Sequence, residues 1–209
     1  MKKMDMMLEE LLPSEREKKS YEIITEELGS TVLDKENETV IKRVIHSSAD
    51  FEYAYMLKFS EHAVAKAKEA IKAGASIITD SPMIKAGIQK NLLEQYGGEV
   101  YCFNTDEEVA AAAKINGTTR AEAAMDKAAH LDKDMIFAIG NEPMALVRLY
   151  ELIREGKVNP KLVIGVPVGF VNVMEAKSMI MESGVPYIIS KGRKGGSTVA
   201  AAICNALLQ

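Results

Sequence analysis

Apolar positions in the first 75 residues recur at helical spacing. Residues 20–28 form an amphipathic run that stops at Gly29, a residue suited to the turn past a helix end. Asp34 precedes a second run in which Val40, Ile41, Val44 and Ile45 share one face, and His46 closes it. Ser60 is placed to cap a third run over 61–74, rich in alanine and lysine, with Ala63, Val64, Ala67, Ala70 and Ile71 on its apolar side. From Ser76 the texture changes. Short β-branched runs at 76–79, 99–103, 135–139, 161–166 and 187–190 alternate with segments of helix length. Runs apolar on both faces predict a parallel sheet covered on both sides and joined by right-handed crossovers. The expected fold is therefore α/β: a three-layer α/β/α domain with a mainly parallel, roughly five-stranded sheet and N-terminal helices. No repeat, low-complexity tract or long linker divides it, so 1–209 reads as one domain, helical over 1–75 and alternating β/α over 76–209.

In such sheets ligands bind outside the carboxyl ends of the strands. Asp80-Ser81-Pro82 and Asn141-Glu142-Pro143 put a capping residue before a proline there, starting a helix directly after a strand. Asn104-Thr105-Asp106, Val168-Gly169-Phe170 and the run from Lys191 to Ser197 complete the expected rim.

Charge and cysteine usage narrow the function. A formal net charge of −4 carries no basic excess, so no nucleic-acid partner is expected and any anionic ligand must be gripped locally. Cys102 and Cys204 lack metal-ligand or disulfide spacing, which fits a reducing cytoplasm. Asp5, Glu9 and Glu10 interrupt the opening before a signal-like apolar stretch forms, and no run is long enough to span a bilayer, so no membrane association is expected.

Lys191-Gly192-Arg193-Lys194-Gly195-Gly196-Ser197 follows the last strand and precedes a helix-forming run, bringing backbone N–H groups and three cations toward one spot. It lacks the Walker order and the Gly-x-Gly-x-x-Gly order, and a solvated basic turn is its alternative reading. In Val166-Pro167-Val168-Gly169-Phe170-Val171, Pro167 ends a strand and Gly169 permits close approach of a flat ligand, or the segment is an ordinary strand exit. His46, between Arg43 and the hydroxyls of Ser47 and Ser48, is the best placed of the three histidines to exchange protons near neutrality, against a purely structural role. Arg120 opens an alanine-rich helical run after Asn116-Gly117-Thr118-Thr119, where a cation opposes the helix dipole. It answers to a ligand carboxylate or is a surface arginine.

Taken in order, these segments resemble one family, the precorrin-8X methylmutases, or precorrin isomerases, of cobalamin biosynthesis. The resemblance covers nearly the whole chain. It rests on Arg43-Val44-Ile45-His46, on Ala73-Gly74-Ala75 followed by Thr79-Asp80 and Met83, on Gly117-Thr118-Thr119-Arg120, on Ala138-Ile139-Gly140-Asn141-Glu142-Pro143, on Gly165 to Val171 with Glu175 and Lys177, and on Gly192 to Ser197. The resemblance implies an isomerase that needs no cofactor and moves a methyl group from C11 to C12 of a contracted tetrapyrrole. The product is hydrogenobyrinic acid from precorrin-8 or cobyrinic acid from cobalt-precorrin-8, and any cobalt is carried by the substrate. It further implies His46 as the catalytic proton donor. Substrate contacts are expected from Ser20, Arg43, Thr79, Arg120, Val168, Gly169, Phe170, Arg193 and Lys194, in a homodimer with active sites at the subunit interface. Glu15-Arg16-Glu17-Lys18-Lys19 replaces the aromatic residue and arginine that often precede Ser20, and Asn172 and Ala176 also depart from the family pattern. A non-catalytic corrinoid carrier and a phosphate- or nucleotide-binding α/β enzyme are the alternatives.

Overall fold

A computed structural model describes residues 12–209. The acidic positions Asp5, Glu9 and Glu10 lie outside the described residues. The chain forms two compact units, one ending at Val32 and one from Leu33 to Gln209. The first holds α1 (Pro13–Leu28), which opens with a proline, satisfies the Leu12 N–H with the Glu15 carboxylate at 2.8 Å, and ends at Gly29, φ 55°. Within α1 the Ser20 hydroxyl donates to the Arg16 carbonyl at 2.8 Å.

The second unit contains, in order, α2 (Glu38–Ser48), α3 (Tyr53–Met56), β1 (Leu57–Phe59), α4 (Ala63–Lys72), β2 (Ser76–Thr79), α5 (Pro82–Gly87), α6 (Lys90–Glu94) and β3 (Val100–Tyr101). There follow α7 (Glu107–Asn116), α8 (Arg120–Ala128), β4 (Met135–Ile139), α9 (Pro143–Arg154), β5 (Leu162–Gly165), α10 (Val173–Met181), β6 (Tyr187–Ser190) and α11 (Ser197–Leu207). One sheet runs β1-β6-β5-β4-β2-β3, parallel except for β1. Counted from β2, the parallel strands follow the doubly wound order 2-1-3-4-5, whose switch point falls between β2 and β4.

The strands β2, β4 and β5 are buried along their whole length, as strands covered on both faces must be. One face carries α7 to α10, where Met125, Leu146, Leu149 and Ile180 close over Phe137, Ile139 and Val163. The other carries α2, α4, α5 and α11. Helix α11 is buried from Val199 to Leu207, and its alanines let neighbours approach: a Cβ on Gly87 of α5 would stand 2.9 Å from the Ala201 Cβ. The three-layer α/β/α arrangement is thus the one the apolar pattern predicts.

Three local readings change. The sheet has six strands, because the part read as helical contributes β1, paired antiparallel with β6 through Leu57↔Ser190 and Phe59↔Ile188. Ser60 does not cap α4; its hydroxyl accepts the Tyr187 N–H at 2.9 Å and pins the β1 exit to the sheet, and α4 starts after His62. Asp34 folds a turn, accepting the Glu36 N–H at 3.0 Å and the Asn37 amide at 3.2 Å, so α2 begins only at Glu38. No helix among the described residues is long and apolar enough to cross a membrane.

Candidate active site at the strand ends

The site is built on Asp80. It follows β2, is fully buried, and accepts three backbone N–H groups from the β4–α9 turn: Gly140 at 3.0 Å, Asn141 at 2.9 Å and Glu142 at 2.7 Å. Burial pushes its carboxyl above the usual carboxylate range, against the pull of those donors. The carboxyl group thereby closes the topological switch point, and the Asn104 amide donates to the Asp80 carbonyl at 2.6 Å from the β3 side. Each adjoining helix starts as expected: Ser81 caps α5 by accepting the Met83 N–H, and Glu142 caps α9 by accepting the Met144 N–H.

Beside this anchor a cavity of about 300 Å³ opens between α2, α5 and α11. Arg43, His46 and Ser47 line it from the last turns of α2, Met83 and Gly87 from α5, and Ser197, Thr198, Ala201, Ala202 and Asn205 from α11. His46 is exposed at the mouth. The Ser197 hydroxyl lies 3.5 Å from that of Ser81, which fixes the first turn of α11 against the start of α5. Asn205 accepts the Gln89 N–H at 2.9 Å and donates to the Gly87 carbonyl at 2.9 Å, tying α5 to α11 beneath the cavity.

The loop between β6 and α11 forms the next wall. Its Gly196 N–H donates to the Val166 carbonyl at 2.8 Å, and Gly169 donates to the Arg193 carbonyl at 3.1 Å. Val168, 54% exposed, lies where a Cβ added at Gly196 would meet its Cγ1 at 3.9 Å, while Phe170, 85% exposed, lies 5.7 Å beneath the Arg193 guanidinium. An apolar, glycine-backed surface edged by a cation is what a flat ligand with acid arms requires. At Gly195, φ 156°, a Cβ would lie 2.0 Å from the Val166 carbonyl oxygen, a contact only the backbone could relieve. Gly195→Ala is therefore expected to destabilise the protein by about 2 kcal/mol, read as a lower thermal midpoint. An unchanged midpoint would mean that the loop shifts freely.

The structure brings Arg43 and His46 together, and Val168, Gly169, Phe170 and Arg193 together. Lys194 has protein partners: it reaches Asp50 at 2.6 Å and Glu52 at 3.0 Å, and these bonds raise its pKa while that of Asp50 falls. One of the three cations of this loop is thus paired within the protein. Thr79 is fully buried and its hydroxyl donates to the Tyr101 and Ser81 carbonyls at 3.0 and 3.3 Å, so it shapes the floor. Arg120 is exposed at the first position of α8, where Thr119 and Glu122 form a reciprocal cap. It makes no ion pair among the described residues. Ser20 stands in α1, in the other unit. Cys102 and Cys204 are buried, and burial pushes the Cys204 thiol up to about 12. Among the described residues no group of three His, Cys, Asp or Glu side chains is placed to hold a metal ion.

Sequence reading counts Lys177 toward the resemblance but gives it no role. It lies on the apolar stripe of α10 with Val173, Ala176 and Ile180, 1% exposed, and donates to the Gly192 and Lys194 carbonyls at 2.8 and 3.0 Å. A lysine at i+4 and i−3 to buried apolar residues was the available signal. Burial lowers its ammonium from 10.5 to about 8, and the neutral amine still has two N–H groups for the two carbonyls. Between these values the unfolded chain binds the extra proton, so stability rises with pH. Wild type is expected to gain about 2 kcal/mol over Lys177→Met from about pH 7.5 to about pH 10, read as urea midpoints. A constant difference between the two proteins would show that Lys177 keeps its ordinary titration.

A histidine and an arginine at a cavity, with an exposed apolar wall near the strand ends of a doubly wound sheet, stand where proteins of this α/β class bind their ligands. Comparison with known proteins makes this specific. The precorrin-8X methylmutase family model matches residues 15–209. A cobalt-precorrin-8 methylmutase from Priestia megaterium is 44% identical over 93% of this chain and 87% of its own, and a precorrin-8X methylmutase from Sinorhizobium sp is 36% identical over 90% of each. The crystal structure of a precorrin-8X methylmutase from Thermus thermophilus superposes with a TM-score of 0.84 at 42% identity, covering 92% of this chain and 95% of that one. The chain belongs to the precorrin-8X methylmutase family. It is an isomerase of cobalamin biosynthesis, which sets aside the carrier and nucleotide-enzyme readings.

Proposed function

We propose that this enzyme moves a methyl group from C11 to C12 of precorrin-8 or cobalt-precorrin-8, giving hydrogenobyrinic or cobyrinic acid, with His46 as general acid. In this step the C11–methyl bond breaks as the C12–methyl bond forms. His46 lends the macrocycle a proton that polarises the migration and takes it back, so no net proton, electron or cofactor is consumed. The observation that carries the reading is the cavity in which His46 and Arg43 face the first turn of α11. The ring lies against Val168, Gly169 and Phe170, and Arg193 and Arg43 meet its acid arms; Arg120 supplies a contact from a further element.

A cavity of about 300 Å³ is too small to enclose a tetrapyrrole, and Phe170, Val171 and Met174 remain exposed after β5. This supports a homodimer in which a second copy completes each site. The proposed compartment is the cytoplasm, where both buried thiols stay reduced.

Conversion of precorrin-8 and of cobalt-precorrin-8, followed by absorbance, tests the reaction, and parallel titrations with hydrogenobyrinic and cobyrinic acid test the site. Turnover of at least one substrate and saturable binding of its product are expected. Absence of both would overturn the proposal.

A further inference from the structure

Two alternate carbonyls of the β6–α11 loop, those of Gly192 and Lys194, point inward to the Lys177 ammonium at 2.8 and 3.0 Å. The residue between them faces the other way. The Arg193 carbonyl accepts the Gly169 N–H at 3.1 Å, and its guanidinium lies over the Phe170 ring. The Ser190 hydroxyl donates to the Lys194 carbonyl at 2.8 Å, so the inward side of the loop is held by donors from both α10 and β6. An apolar side chain of similar length would fill the α10 stripe without desolvating an amine, so the position demands donors rather than volume.

We propose that Lys177 is a positioning residue for substrate recognition: by drawing the Gly192 and Lys194 carbonyls into the protein, it presents Arg193 on the Phe170 wall. The chain of contacts runs from Lys177 through the loop backbone to Arg193, and from the Arg193 carbonyl to Gly169. Arg193 meets the ligand and Lys177 does not. The inference rests on the tetrapyrrole reading above insofar as Arg193 binds an acid arm.

The test compares Lys177→Met, which keeps length and loses the donors, with Lys177→Gln, which keeps an amide donor, and with Arg193→Ala. Lys177→Met is expected to raise KM for the tetrapyrrole about tenfold with kcat held within about threefold, as Arg193→Ala does. The double variant is expected to be no worse than the poorer single one, because both act on the same contact. Lys177→Gln should recover part of the loss. Independently of any ligand, hydrogen exchange at the Gly169 and Gly196 amides should quicken about tenfold in Lys177→Met while α10 and β6 stay protected. Additive KM effects, or wild-type exchange at those two amides, would overturn the inference. If wild type neither binds nor converts a tetrapyrrole, the substrate reading falls and the exchange measurement alone decides the positioning role. If Lys177→Met does not fold, Lys177→Gln carries the same comparisons.

Discussion

Replacing His46 by alanine is expected to cut turnover by at least about 100-fold while the affinity for hydrogenobyrinic or cobyrinic acid stays within about threefold. The reason is a division of labour. In the proposed reaction, proton transfer belongs to the imidazole, whereas the proposed recognition of the ring and its acid arms is spread over Arg43, Arg193 and the Val168 to Phe170 surface. His46 is exposed at the end of α2, beyond the buried positions Val40, Ile41, Val44 and Ile45 that hold this helix, so alanine removes no core packing. The thermal midpoint should therefore stay close to wild type, and lost turnover cannot be ascribed to unfolding. Steady-state rates with product titrations on the same preparation make the measurement. Retention of more than about a tenth of the rate would remove His46 from the proton-transfer role, and a parallel loss of binding would make it a recognition residue instead.

Much of this arrangement is legible in the sequence because it is local. β-Branched runs between helix-length segments are enough to place β2 to β6, and a capping residue before a proline is enough to start α5 and α9. The strand β1 escapes because three residues, Leu57-Lys58-Phe59, are too few to display a period, and only their pairing with β6 makes them a strand. The site divides along the same line. His46 and Arg43 are one helical turn apart, so their shared cavity wall follows from spacing. What Lys194 does depends on Asp50 and Glu52, more than a hundred residues earlier, and no spacing rule announces that pairing. Thr79 stands at a strand end like a ligand contact, yet its hydroxyl turns to the carbonyl of Tyr101 on the neighbouring strand. Lys177 is the converse: a charged letter that reads as surface and is held inside by two carbonyls. In each case a nonlocal backbone or charge partner decides the role.

The largest stability effect is expected at Asp80. Its two carboxyl oxygens accept three N–H groups that have no other role than to open α9, at a position without access to water. Asp80→Ala leaves the buried Gly140 donor and two partly buried donors unpaired; at about 1–3 kcal/mol for a buried donor and less where water can reach, the expected loss is about 3 kcal/mol. Asp80→Asn is nearly isosteric but turns an NH₂ toward N–H groups that need acceptors, so it should recover little of that loss. The damage should also reach the active site. Gly140, bonded to Asp80, packs so closely under the loop that a Cβ there would meet the Gly196 carbonyl oxygen and the Ala200 Cβ, each at 2.9 Å. A loosened β4–α9 turn therefore disturbs the first turn of α11, where Ser197 and Thr198 line the His46 cavity. Urea unfolding of both variants, paired with KM measured well below their midpoints, separates the two consequences. Losses below about 1 kcal/mol in both variants would mean that the turn finds other acceptors, and that the switch point does not depend on this carboxyl group.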